Sequence, residues 1–182
     1  MAGSPALRPR APSQARPDAR PGVKHTRAGV TKRVEAEYRS LDTIVKRLTP
    51  ADLRKPAMRE EAPIRFTVKD VLAHINAWKW NEERVITKRT EPRRPYDPPK
   101  TSALADTNAG IYRRSHRTSA ATIVAEHRAA HRALLKALRA APAEYFSGRE
   151  RSAQWPFDAV GHLAEHRRKH LEPLLDPTRR AR

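Results

Sequence analysis

Phe66-Thr67-Val68-Lys69-Asp70-Val71-Leu72-Ala73-His74-Ile75-Asn76-Ala77-Trp78 carries a helix start and an apolar helix face in one run, and it sets a histidine beside that face. Thr67 followed by Asp70 is the pattern in which two side chains satisfy the backbone N–H groups left free at a helix start. A helix therefore begins near Thr67. At about 100° per residue, Val71, Ile75, Trp78 and Val85 share one stripe, with His74 on its flank beside Trp78. A histidine placed there is buried or half-buried, and a buried imidazole needs a partner for each nitrogen.

Working outward, Val34, Tyr38, Leu41, Val45 and Leu48 recur at helical spacing and predict an amphipathic helix from about Gly29. Thr49-Pro50-Ala51-Asp52 then restarts the chain as a short capped turn that ends before Pro56. The helix begun at Thr67 is expected to reach about Lys88 and to stop before Pro92. Pro92, Pro95, Pro98 and Pro99 predict a long connection over 91–105, with Tyr96 as its anchor. A short helix from Asp106 to about Arg114 is followed by a long one from Ser119 to Ala141, with Ile123, Leu134 and Leu138 on its stripe and Pro142 as its stop. The last helix starts near Pro156 or Asp158, runs through Leu171 and is ended by Pro173.

Four long amphipathic helices and no convincing strand predict an all-α four-helix bundle. Its expected topology is up-down-down-up, with 91–117 as the crossover. The bundle is expected over 29–176. It is flanked by a disordered, basic, Pro- and Arg-rich tail over 1–28 and a short basic tail over 177–182.

With no cysteine, disulfide frameworks, thiolate metal sites and cysteine nucleophiles are excluded. No run of about 18 apolar residues occurs and the N-terminus has no apolar core, so a soluble cytoplasmic protein is expected, with no membrane partner. The formal charge of +18 makes nucleic acid a partner to consider. The excess is spread along the chain, so a basic composition explains it about as well as a dedicated binding surface.

His162, His166 and His170 recur every four residues, a ladder with rungs about 6 Å apart on a regular helix. On a helical wheel Ala159, Leu163, His166, His170 and Leu174 share the centre of one stripe, and His162 lies at its edge nearer Lys169. Two inward imidazoles at i and i+4 are how a helix offers two nitrogens to one metal, and His74 is the natural third ligand. His127 and His131 form a second pair of the same spacing. One pair is expected to make ordinary hydrogen bonds near the bundle surface. Glu82, on the inner stripe with Trp78, is read as a partner of the ligands or a general base. No phosphate-binding glycine loop and no hydroxyl in a nucleophile setting occurs.

The segment 66–74, with Asn108-Ala109-Gly110-Ile111-Tyr112 and Gly161-His162-Leu163-Ala164-Glu165-His166-Arg167-Arg168-Lys169-His170-Leu171, resembles in order and separation the conserved segments of the DinB-like superfamily, most closely its ClbS/DfsB-like branch. Phe66 stands where that family usually has tryptophan, and His127/His131 have no counterpart in it. The resemblance implies a four-helix bundle holding a divalent metal, zinc or nickel, on His74, His166 and His170. Trp78, Glu82, Asn108, His127, His131 and His162 are the further candidate pocket residues. It also implies a metal-dependent hydrolase, or a transferase using a low-molecular-weight thiol, acting on a small molecule in detoxification or stress response. The rival readings are a non-catalytic basic module that binds nucleic acid and a structural bundle that forms a homodimer.

Overall fold

The structure, a computed structural model, describes residues 26–58, 64–90, 103–147 and 156–175. Helix α1 spans Arg27–Val45, α2 Pro50–Leu53, α3 Val68–Thr90, α4 Ala103–Ser115, α5 Ala120–Ala140, α6 Ala143–Ser147 and α7 Pro156–His166. The chain continues from α7 through a π-helical turn, Arg167–Leu171, and a 3₁₀ turn, Glu172–Leu174. The tail expected over 1–28 lies outside the described residues up to residue 25. Thr26 caps α1 by accepting the Gly29 N–H. The proline-rich connection with Tyr96 and the C-terminal tail also lie outside them.

Among the described residues no strand forms, and the fold is an all-α four-helix bundle of α1, α3, α5 and α7. Directions follow from the paired residues. Glu35 meets Arg139, Tyr38 stacks on His131 and Asp42 approaches His127, so α1 and α5 run antiparallel. Lys69 reaches the carbonyls of Ser115 and His116, Asn76 donates to the Ile123 carbonyl and Lys79 meets His127, so α3 and α5 run parallel. His74 lies against His166 while Lys79 and Glu82 line a cavity with Leu163 and Val160, so α7 is antiparallel to α3. This is the expected up-down-down-up order. Parallel neighbours cannot be joined by a tight turn, and the chain between α3 and α5 carries α4.

The start of α3 forms as its sequence dictates. Thr67 N–H and Oγ1 both donate to Asp70 Oδ2, at 2.9 and 2.7 Å, and Asp70 N–H faces Thr67 Oγ1 at 3.4 Å. Lys69 Nζ and His116 Nδ1 also reach Asp70, which is 1 % exposed. Burial works against ionisation of this carboxyl, but the hydrogen bonds from Thr67 and Lys69 outweigh it and hold it below the ordinary carboxylate range. Asp70→Ala would strip the cap and leave Lys69 without its carboxylate. It is expected to cost about 3 kcal/mol in denaturant unfolding, and a loss under about 1 kcal/mol would show that the cap is dispensable.

Phe66, Val71, Leu72 and Ile75 pack with Leu41, Ile44, Ile123, Leu163 and Leu171 into one apolar cluster. A second joins Val30, Val34, Ile86, Leu134, Leu138 and Phe146. The first cluster abuts the histidines of α3 and α7.

Candidate metal centre

His74 is fully buried on α3, and His162 and His166 face it from α7. His162 Nε2 lies 3.3 Å from His74 Nε2 and 3.1 Å from His166 Nε2. One ligand nitrogen from each of the three residues lies within 4.8 Å of the others. Hydrogen bonding alone serves this arrangement poorly, because the single lone pair of His162 Nε2 would have to accept from two neighbours. A tetrahedral ion with nitrogen ligands at about 2.0–2.1 Å places those nitrogens about 3.4 Å apart, close to the observed spacing. The donor set therefore fits a divalent transition metal. Neutral imidazoles suit zinc and nickel alike.

The environment favours neutral rings. Burial first, and then the charge of His162, pushes the His74 pKa down to about 3. Burial, with His162 and His74 beside it, does the same to His166, to about 2. Trp78 stands edge-on to both His162 and His74, with ring centroids 5.6 and 6.1 Å away, and walls one side. Phe66 meets His74 edge-on at 6.5 Å from the other. Nδ1 of His74 and of His166 and Nε1 of Trp78 are buried without a protein partner.

The trio differs from the one expected by a single step along α7: His162 takes the place foreseen for His170. His170 ring stays 5.6 Å from that of His166 but is not among the three grouped nitrogens. Beyond His166 the helix continues as a π-helical turn that begins at Arg167. It bonds i to i+5 rather than i+4, and His170 lies within it. Turns of this kind are frequent at functional sites.

The remaining candidates lie elsewhere. Glu82 lines a cavity in the middle of the bundle with Tyr38, Lys79 and His131. Asn108, on the helix that packs against α3, is half-buried with its side-chain carbonyl unpartnered. His127 and His131 are 0 % and 7 % exposed, so this pair is deep in the bundle and not near its surface as expected. The reason is Tyr38, which covers them from α1 with ring centroids at 5.0 and 3.6 Å.

A family-level comparison matches residues 33–174 to the DinB superfamily. The chain belongs to the DinB superfamily. No curated protein matches it. Among solved structures, this DinB-like chain is similar to the colibactin self-resistance protein ClbS in complex with a dsDNA, with TM-score 0.57 and 15% identity over 81% of this chain and 98% of that one. It is also similar to DfsB, described as a sibling lethal factor precursor, with TM-score 0.59 and 14% identity over 79% of this chain and 92% of that one. At these identities the likeness is one of fold.

Proposed function

We propose that this DinB-like chain is a metal-dependent enzyme acting on a small molecule, with zinc or nickel held by His74, His162 and His166. The convergence of three Nε2 atoms at 3.1 and 3.3 Å around His162 is the observation that carries this reading. When bound, such an ion supplies an open fourth position that lowers the pKa of a coordinated water or thiol. Hydrolysis and transfer to a low-molecular-weight thiol are the two reactions this chemistry serves. The protein's own part is to keep His74 and His166 neutral by burial, to set the His74 ring against Phe66 and Trp78, and to leave His162 half-buried. Purified full-length protein exposed to zinc or nickel is expected to retain about one ion per chain by elemental analysis, and a chelator is expected to remove it together with any turnover of an activated ester or of a thiol-reactive probe. A protein that holds neither ion would end this reading.

A second reading draws on one specific observation. A structural neighbour was crystallised with double-stranded DNA, and this chain carries a charge of +18. If nucleic acid is a partner, affinity for duplex DNA should fall steeply with salt, by about 10³-fold or more between 50 and 200 mM for a protein that contacts several phosphates. It should also be indifferent to His74→Ala. Binding that is flat in salt would count against it.

A further inference from the structure

His166 and the residue after it grip different helices. Successive residues of a helix point about 100° apart. The His166 ring lies against His74 on α3, while the Arg167 guanidinium reaches α1. There Arg167 meets Glu37 as a fork: Nε donates to Oε1 at 2.5 Å and Nη2 to Oε2 at 3.0 Å. The two side chains are 13 % and 10 % exposed. Glu37 also borders a cavity beside buried Lys79, yet both of its oxygens are turned to Arg167. By contrast Arg139 and Glu35, which join α1 to α5, form an ion pair at the surface.

Arg167 has a second carboxylate partner five residues on, Glu172, reached through Nη1. The backbone joins the same two residues, because the Glu172 N–H donates to the Arg167 carbonyl. A step of five is the repeat of a π-turn. On a regular α repeat it would leave the two side chains about 140° apart around the axis. The turn narrows that angle, so this ion pair and the turn support each other. His166 and Leu171 are also five apart, and both are buried.

We propose that Arg167 is a positioning residue for the metal centre: held by Glu37 and Glu172, it fixes the rotation of α7 about its own axis and so the approach of His162 and His166 to His74. This rests on the metal-binding reading above and adds to it a residue that touches no ion. The tolerance is narrow. A rotation of α7 by about 10° moves an atom about 5–6 Å from the axis by about 1 Å, whereas metal–nitrogen distances hold to within about 0.2 Å. A bidentate guanidinium largely withdrawn from water resists such a rotation better than a single flexible contact does.

The test titrates full-length protein with zinc against a chromophoric chelator, and reads the geometry of the site from the visible absorption of the cobalt(II)-loaded form. Arg167→Gln and Glu37→Gln are each expected to weaken zinc binding by about tenfold or more, the range for loss of a supporting partner of a metal ligand. Each should also change the cobalt bands at saturation. The double variant should lose little more than either single one, because both break the same contact. Arg139→Gln, which breaks the surface pair with Glu35, should stay within about twofold of the wild type. A pair that only held the fold together would lower stability to unfolding and leave the spectrum of the loaded protein unchanged. Wild-type affinity and spectrum in folded Arg167→Gln therefore overturn the proposal, as does an equal loss in Arg139→Gln. If Arg167→Gln does not fold by circular dichroism, Glu37→Gln decides in the same way, since it keeps the shape of the side chain and removes its charge. A wild type that binds no zinc or cobalt ends both readings, whereas a wild type that binds one ion beside an unaffected variant ends this one alone.

Discussion

Acidifying the protein from pH 7 to about pH 5 is expected to cost about 4 kcal/mol of stability, and raising it to about pH 9 to add about 2 kcal/mol. The groups responsible are His127, His131 and Lys79. Burial, and then the nearby Lys79 charge, lowers His127 to about 3 and His131 to about 4, from an ordinary value of 6.5. Below pH 6.5 the unfolded chain therefore binds protons that the folded chain refuses. The stability tied to these histidines is complete above pH 6.5 and is lost as pH falls toward 4 and 3, at about 1.4 kcal/mol per unit for each ring. His74 and His166 shift in the same direction, so the acid loss in metal-free protein is a lower bound.

Lys79 has the same sign in a higher window. Its folded pKa of about 7 lies below the ordinary 10.5, so between those values the unfolded chain holds a proton that the folded chain has released, and stability grows with pH. Urea unfolding at the three pH values with a chelator present checks both limbs. Lys79→Met should flatten the alkaline limb and leave the acid limb in place. Stability that peaks near pH 7 and declines by pH 9 would mean that Lys79 is charged in the folded bundle.

Replacing His162 with alanine is expected to weaken zinc or nickel binding by at least about 100-fold, the upper end of what loss of a mere supporting partner costs a metal site. The reason is its central place: His162 Nε2 is the atom that both His74 and His166 approach. His170→Ala is expected to cost less than about tenfold, because a ring beside His166 but outside the trio supports the ligand face without supplying a donor. Binding should also weaken as pH falls through about 6.5, since protons compete for the same nitrogens. Competition titration against a chromophoric chelator separates the variants. If His170→Ala abolished binding while His162→Ala kept one ion per chain, the ligand set would be His74, His166 and His170.

The bundle could be read from the sequence because its signals are local. Thr67 and Asp70 sit three apart, Pro50 follows Thr49, and the stripes of α1, α3 and α5 repeat every three or four residues, so each helix announces its own start and face. The unequal connections then fix which helices run parallel. His74 was legible for the same reason, as a histidine flanking a strong apolar stripe. Lys79 carried a weaker signal: it precedes Glu82 by three residues and so shares the inner face, but flanked by Trp78 and Trp80 it reads as a solvated lysine. Only packing decided its burial, since Tyr38 and His127 come from helices distant in sequence. Only packing chose between His162 and His170 as well. Both lie four residues from His166, so spacing treats them alike, and His162 is set apart by the approach of its Nε2 to the rings of His74 and His166. Local spacing specified the helices, their faces and one buried histidine. The tertiary structure decided which nitrogens meet and which charges the core encloses, because both depend on contacts between chain segments far apart in sequence.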